Sequence, residues 1–203
     1  TNTIGLMLPS VANPYFADIA SSVIEEARHR NYTTIVLDSA ESPELEKDGI
    51  SSLMSRQVDG IIAVPCGDDP SLFEEINRKF IPVILIDRYF SNSMLPYITT
   101  NNYLGGINAA NLLIMRGHTN IACIQGVVNS PPNKKRVAGY LAALDKTGIK
   151  DKALVVGNDF SIQNGYLETK LLLNKTDRPT AIFALSNTIM LGAFRAIREA
   201  GLK

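Results

Sequence analysis

Short apolar segments alternate with amphipathic helical segments along this chain, and this alternation constrains its fold more than any other feature. Residues 4–8 form an apolar run, and from residue 16 to residue 27 apolar side chains recur at the spacing of one helix face. The same order of strand and helix then repeats to residue 200. Strands of β-branched residues that are separated by helices pair in parallel through right-handed crossovers. The sequence therefore predicts an α/β fold with helices on both faces of parallel sheets.

A helix-capping residue followed by Pro marks the start of three helices, at Asn13, Ser42 and Asp69. The predicted strands are residues 4–8, 34–37, 60–64, 83–86, 97–100, 121–124, 153–156 and 181–183. The predicted helices are residues 14–30, 43–54, 70–79, 102–116, 133–146, 161–173 and 187–200.

An irregular polar stretch at residues 89–96 separates a first series of elements from a second, which begins at the predicted strand 97–100. We therefore predict two similar doubly wound lobes, residues 1–100 and residues 101–203. Further segments are expected at both ends. Thr1 is not a start methionine, and the parallel strand that normally follows a helix such as 187–200 is missing before the C-terminus.

The composition argues against several classes of partner. Lys and Arg number 20 and Asp and Glu number 20, so we expect no DNA binding by this stretch alone. No apolar run reaches the roughly 18 residues needed to cross a membrane. The two cysteines, Cys66 and Cys123, lack the spacing of metal ligands, and we expect them to be buried free thiols in a reducing cytoplasm, with no metal bound.

Enzymatic motifs are absent from the sequence. No G-x-G-x-x-G follows the first strand, and there is no phosphate-binding lysine loop, H-E-x-x-H or G-x-S-x-G. For the two histidines, His29 and His118, a structural role is favoured over general-base catalysis. We expect a binding protein without a cofactor, and an α/β enzyme is kept as a minor alternative.

Polar and aromatic residues follow the first strand, where an open α/β sheet binds its ligands. Asn13 offers both a donor and an acceptor to hydroxyl groups, and the aromatic rings of Tyr15 and Phe16 suit the C–H face of a sugar. Asn13 has helix capping as an equal alternative, and Phe16 has a place in the core.

Asp87 and Arg88 follow the apolar strand 83–86 at its carboxyl end. An acceptor beside a planar group with several donors binds neighbouring hydroxyls well. The alternative is an internal salt bridge, and both interpretations stay open at this point.

Several segments carry a resemblance to a known family. In the first half they are IGLMLP at 4–9 leading into NPYF at 13–16, VDGII at 58–62 and PVILIDR at 82–88. In the second half they are GHTNIA at 117–122 and RPTAIFA at 178–184, which are typical of regulators more than of transport proteins. In this order they resemble the lactose and galactose repressor (LacI/GalR) family, whose core is similar to type I periplasmic sugar-binding proteins.

The resemblance implies the effector-binding and dimerisation core of a transcription regulator. Such proteins sense a sugar or sugar-like metabolite in a cleft between two lobes, and they bind operator DNA as homodimers through a preceding helix-turn-helix domain. It implies a cytoplasmic protein with no membrane partner. The alternative is a periplasmic sugar-binding protein of a transporter.

The resemblance also implies further site residues. It favours ligand contact for Asp87 and Arg88 and places a cleft arginine at Arg136. Arg136 lies with Lys134 and Lys135 in the predicted first turn of helix 133–146, where the helix dipole disfavours cations. The two lysines are interpreted as a solvated face. We expect Arg88 and Arg136 to converge on the cleft.

Three more ligand-binding positions follow from the resemblance: Asn101, Phe160 and Asn187, the last of which is also expected to cap helix 187–200. Ser186 and Val64 depart from the residues that many relatives carry at these positions, so the identity of the ligand stays open.

Overall fold

The computed structural model describes residues 1–202, which fold into parallel β-sheets covered by helices. The strands are β1 (Thr3–Leu8), β2 (Thr33–Asp38), β3 (Gly60–Ala63), β4 (Val83–Ile86), β5 (Tyr97–Ile98), β6 (Ile121–Ile124), β7 (Leu154–Val156) and β8 (Ala181–Ala184). The helices are α1 (Pro14–His29), α2 (Pro43–Ser55), α3 (Ser71–Arg78), α4 (Asn102–Met115), α5 (Pro131–Lys146), α6 (Ile162–Leu173) and α7 (Asn187–Glu199), with a short 3₁₀ helix at Lys150–Lys152. The predicted alternation of strands and helices is confirmed.

The chain divides into two compact units, Thr1–Thr100 and Asn101–Lys203. Unit 1 contains a five-stranded parallel sheet in the order β2-β1-β3-β4-β5, and unit 2 contains a three-stranded parallel sheet in the order β7-β6-β8. Among residues 1–202, no helix combines the length and the apolar character needed to span a lipid bilayer.

The strand predicted at 97–100 to open the second series belongs instead to the first sheet. It is shortened to β5, which pairs in parallel with β4 in the register Leu85 to Tyr97 and Ile86 to Ile98. The backbone N–H of Asp87 also donates to the carbonyl of Ile98 at 2.8 Å. These hydrogen bonds make β5 the edge strand of the unit 1 sheet, next to β4.

Both faces of the unit 1 sheet are covered, because successive strand residues point to opposite sides. One face packs Met7 and Ile61 against Leu53 of α2 and Phe73 of α3. The other packs Leu6 and Leu8 of β1 against α1. This is the doubly wound arrangement that the alternating pattern predicts.

The central strand of unit 2, β6, is buried along its whole length. Ile121 and Cys123 face the cluster that contains Tyr140 and Leu144 of α5. Ala122 and Ile124 face α6 and α7. The hydroxyl of Tyr140 donates to the carbonyl of Ile121 at 2.7 Å, so this buried polar group is satisfied.

Glycines allow the helices of unit 2 to pack very closely in pairs. A Cβ atom at Gly106 of α4 would overlap the backbone carbonyl of Arg136 in α5, and one at Gly139 would overlap that of Tyr103 in α4. Gly165 and Gly192 have the same relation between α6 and α7. Each sheet face of unit 2 therefore carries two helices whose backbones touch.

Three predicted helix starts differ from those observed, at α3, α5 and α6, and α6 begins at Ile162 with Ser161 as its cap. Helix α3 begins at Ser71, because the Asp69 side chain accepts the backbone N–H of Ser71 at 3.0 Å. Helix α5 begins two residues early, at Pro131, because Pro fits a first turn whose N–H groups have no helical partner. Lys134 therefore ends the first turn, whereas Lys135 and Arg136 lie beyond it, so the dipole argument was wrong for these two residues.

Candidate functional site

Polar side chains gather at the carboxyl ends of the unit 1 strands. We call them the unit 1 polar cluster: Asn13, Tyr15, Asp38, Glu41, Asp87 and Arg88. Asn13 and Tyr15 follow β1, Asp38 ends β2 and Glu41 follows it. Asp87 and Arg88 follow β4. Since parallel strands end at the same edge of their sheet, residues distant in sequence meet there.

Asp87 is held in an uncommon backbone conformation beside Tyr15. Its φ is +62°, a region that Asp tolerates better than most residues with a side chain, and it is only 8% exposed. The Tyr15 hydroxyl donates to Oδ1 of Asp87 at 3.0 Å, and the Thr99 hydroxyl donates to the Asp87 carbonyl at 2.9 Å. The structure therefore brings together two predicted site residues, Tyr15 and Asp87.

Arg88 is buried and forms an ion pair within unit 1. Its Nη1 and Nη2 donate to the two carboxylate oxygens of Glu41, each at 2.7 Å, and Nη1 also approaches the carbonyl of Pro65 at 3.4 Å. Burial opposes the charge, but the hydrogen bonds to Glu41 outweigh it and raise the pKa of Arg88. The internal salt bridge left open by the sequence is thus present, with Glu41 as its partner.

A strained turn places Glu41 against Arg88. Ala40 and Glu41 have φ values of +48° and +58°, and each such residue costs about 1–2 kcal/mol. The Asp38 carboxylate accepts the backbone N–H groups of Val11 at 2.8 Å and Ala40 at 2.7 Å, which fixes the turn. Backbone strain of this kind collects at functional positions.

A thiol and a carboxyl group, those of Cys66 and Glu46, lie near Glu41 and Arg88 of this cluster. Burial raises the pKa of the Cys66 thiol to about 12, and the Ser39 hydroxyl lies 2.8 Å from its sulfur. Burial also raises the pKa of Glu46, although the backbone N–H of Cys66 donates to that carboxylate at 2.9 Å. Both cysteines are free thiols, but Cys66 is half-buried whereas Cys123 is buried as expected.

Asn13 and Phe16 take the alternative roles considered from the sequence. The Asn13 side chain caps α1 by accepting the N–H of Tyr15 at 3.1 Å. Phe16 is 5% exposed and packs with Leu6 and Leu8 in the core. A ligand contact by either residue stays a prediction.

Unit 2 has its own group of polar residues at the strand ends, which we call the unit 2 polar cluster: Asn102, Gln125, Asn133, Arg136 and Asn164. Arg136 donates through Nε to Oδ1 of Asn102 at 2.8 Å and through Nη1 to the carbonyl of Leu185 at 2.7 Å. It therefore joins the start of α4, the body of α5 and the end of β8.

Phe160 lies beside this cluster and is half-buried against the α6 and α7 face of the sheet. Its ring packs directly on Gly126, where a Cβ atom would overlap the ring. The hydroxyl of Thr188 donates to the Phe160 carbonyl. Gly126 thus contacts the ring, and Thr188 holds the backbone of Phe160.

Asn101 and Asn187 are exposed residues at helix starts. Asn101 caps α4 by accepting the N–H of Leu104 at 3.0 Å. The predicted cap at Asn187 is wrong, because Ser186 accepts the N–H of Ile189 at 3.2 Å and Asn187 is the first helical residue. The Asn187 side chain is therefore not needed for capping.

Several members of the two clusters were missed from the sequence. Glu41 lies in a strand-to-helix turn, where a carboxylate resembles ordinary surface charge, and its partner Arg88 is 47 residues away. Asn102 and Asn133 lie at helix starts, where capping is the usual interpretation. Asn133 is in fact buried and accepts the N–H of Gly126 at 2.9 Å.

The two clusters are able to hydrogen-bond polar molecules. They offer carboxylates, amides and guanidinium groups, which hydrogen-bond hydroxyls as acceptors and donors. Across residues 1–202, no group of three His, Cys, Asp or Glu side chains is placed to hold a metal ion. The fold and these strand ends define an α/β protein of the periplasmic-binding-protein type.

Comparison with known proteins assigns the family. The family described as periplasmic binding proteins and sugar binding domain of LacI family matches residues 1–203. The chain therefore belongs to this family, and the resemblance found in the sequence is confirmed.

Several relatives and structural neighbours are transcription regulators. HTH-type transcriptional regulator DegA of Bacillus subtilis is 32% identical and Ribose operon repressor of Haemophilus influenzae is 31% identical, each over 100% of this chain and 61% of the relative. A LacI family regulator of Enterococcus faecium with bound ribose has a TM-score of 0.87 at 28% identity, over 99% of this chain and 73% of that one. The Cra regulator of Pseudomonas putida in complex with fructose 1-phosphate has a TM-score of 0.91 at 25% identity, over 98% and 74%.

This chain thus spans about three fifths of the length of the curated relatives it matches, 61% in both cases.

Proposed function

We propose that this chain is the effector-binding core of a cytoplasmic transcription regulator, and that it binds a sugar or sugar-like metabolite at the polar residues described above. The carrying observation is that Asp87 and Arg88 follow β4 at its carboxyl end, where α/β proteins of this class bind ligands, and that Arg136 donates to the carbonyl of Leu185 just beyond β8. The neighbour with bound ribose, the Cra regulator in complex with fructose 1-phosphate and the Ribose operon repressor support a sugar effector.

The proposed mechanism is a population shift. A ligand that binds two conformations of a protein with different affinities shifts the equilibrium between them. The free energy of that shift cannot exceed the difference between the two binding free energies. The effector would thereby change operator binding by the whole protein. DNA binding is proposed for a preceding helix-turn-helix domain and not for this chain, whose 20 basic and 20 acidic residues balance.

Calorimetry and thermal denaturation with D-ribose, other pentoses, hexoses and their phosphates test sensing directly. We expect one sugar to bind and to stabilise the chain by about 2.7 kcal/mol at a concentration 100 times its Kd. The sugar should be recovered unchanged, as expected of a sensor. If none of these sugars binds to the chain, the proposal is contradicted.

We further propose that the regulator is a homodimer that uses an exposed apolar face of α7. On this helix Met190, Leu191 and Phe194 are 40%, 51% and 55% exposed. Arg195 and Glu199 flank them with opposite charges. An apolar patch with both signs of charge at its rim is able to pair with its own copy across a two-fold axis.

Sedimentation of this chain at micromolar concentration tests the dimer. Replacing Leu191 by Asp should give monomers, because a charge is then buried without a partner in the interface. The matched control is Leu171→Asp on α6, since Leu171 is also exposed, at 62%. A monomeric wild type, or equal dissociation of both variants, would count against this interface.

A further inference from the structure

Arg88 is the basic residue of the unit 1 polar cluster, and the structure shows it already occupied. Both terminal nitrogens of its guanidinium group are bound by the Glu41 carboxylate at 2.7 Å. Bidentate pairing of this kind is the geometry with which Arg also binds phosphate and carboxylate ligands. Glu41 therefore fills the position that an anionic ligand would take.

The surrounding charges reinforce this effect. Asp87 belongs to the same cluster and its charge acts on Arg88 in addition to that of Glu41, so two carboxylates act on one guanidinium group. Asp38 uses its oxygens on backbone N–H groups, and Oδ1 of Asp87 accepts from Tyr15. A phosphate group that enters here is repelled by the excess of negative charge. The hydroxyls of a neutral polyol, in contrast, are able to donate hydrogen bonds to these carboxylates.

The position of Glu41 is fixed by the backbone. It follows Ala40 in two successive residues of positive φ, and its N–H donates to the carbonyl of Pro9 at 3.1 Å. The Ser42 N–H donates to the carbonyl of Ser39 at 2.8 Å and closes the turn. A carboxylate held by a strained turn is less free to swing away than one on an extended surface loop.

We propose that Glu41 is a specificity-determining residue that blocks Arg88 to anions, so that this protein takes an uncharged sugar or polyol and rejects phosphorylated sugars at unit 1. The inference rests on the proposed function for the sugar, but the blocking of Arg88 is testable without any sugar. This role of Glu41 would distinguish a neutral sugar from a phosphorylated sugar, and the structural neighbours contain one of each, ribose and fructose 1-phosphate.

Inorganic phosphate is the probe for the first experiment. Thermal denaturation of this chain is followed against phosphate at constant ionic strength, in wild type, in Glu41→Ala and in the control Glu44→Ala. Glu44 is an exposed carboxylate three residues further on, in the first turn of α2. We expect the apparent phosphate affinity of Glu41→Ala to exceed that of the other two by about tenfold or more, since Arg88 gains a bidentate anion site.

The double variant Glu41→Ala/Arg88→Ala should lose this gain. If Glu41→Ala does not fold, Glu41→Gln replaces it, because the amide oxygen still accepts a hydrogen bond from Arg88 while the charge is gone. Equal phosphate affinity in wild type and the folded Glu41 variant, or a gain that survives in the double variant, would overturn the inference.

Affinities for D-ribose and D-ribose 5-phosphate are then compared in the same proteins. We expect Glu41→Gln to shift the ratio toward the phosphorylated sugar by about tenfold. If phosphate binding appears in Glu41→Ala but no sugar binds to any of the proteins, the blocking role of Glu41 stands and the proposed sugar sensing fails. An unchanged ratio in a variant that binds both sugars contradicts the specificity role.

Discussion

Replacing Gly106 by Ala is expected to lower the free energy of unfolding of this chain by about 3 kcal/mol, the upper part of the range for overpacked cores. The added Cβ overlaps the backbone carbonyl of Arg136, and a backbone atom has no side-chain rotamer through which to escape. Helices α4 and α5 must therefore move apart. Chemical denaturation of both proteins measures the difference.

The neighbouring Gly105 provides the control for this prediction. A Cβ atom there meets nothing within 4 Å, and the residue is exposed. Gly105→Ala should therefore stabilise the chain by up to about 1 kcal/mol, since Ala is the better helix former. Two variants of equal stability would show that the helices do not approach as closely as described.

The second large effect is expected on ligand binding. Arg136→Ala and Arg88→Ala should each weaken binding of the sugar by roughly 10- to 100-fold, because a hydrogen bond to a charged group contributes about 1.5–3 kcal/mol. Calorimetry with the sugar found for wild type measures the loss. Circular dichroism and a denaturation curve show whether each variant is folded.

Lys135→Ala is the matched control, because Lys135 precedes Arg136 on α5 but is exposed. Its affinity should equal that of wild type. Unchanged affinity in both arginine variants would refute the assignment of these residues to the site. Loss in only one of them would restrict the site to that unit.

Much of the fold was predictable because its signals are local. The Asn13-Pro14 pair marks the start of α1 since Asn caps and Pro suits a first turn, and β4 was predicted at its observed bounds from four consecutive apolar residues. The start of α5 was missed because Asn133 was predicted as its first residue, whereas the helix already includes Pro131 and Pro132. Helix α7 has two adjacent capping candidates, Ser186 and Asn187, and only the backbone geometry decides between them.

The candidate site was less predictable because its contacts are distant in sequence. The sequence indicated Arg88 but left a salt bridge and a ligand contact as alternatives, since the partner Glu41 carries no local signal. In the same way, Arg136 was predicted by resemblance, whereas its contact with Asn102, 34 residues away, depends on the packing of α4 on α5. Strand ends predict where a site lies, but only packing shows which of its groups are already engaged.

The glycine contact between α4 and α5 also limits how this protein can be changed. Because the two backbones touch at Gly106 and Gly139, the spacing that sets Asn102 opposite Arg136 is inflexible. New ligand preferences in unit 2 are therefore accessible through exchange of side chains on a fixed scaffold. Laboratory evolution that varies this region should retain both glycines in every functional descendant, while the residues around them diverge.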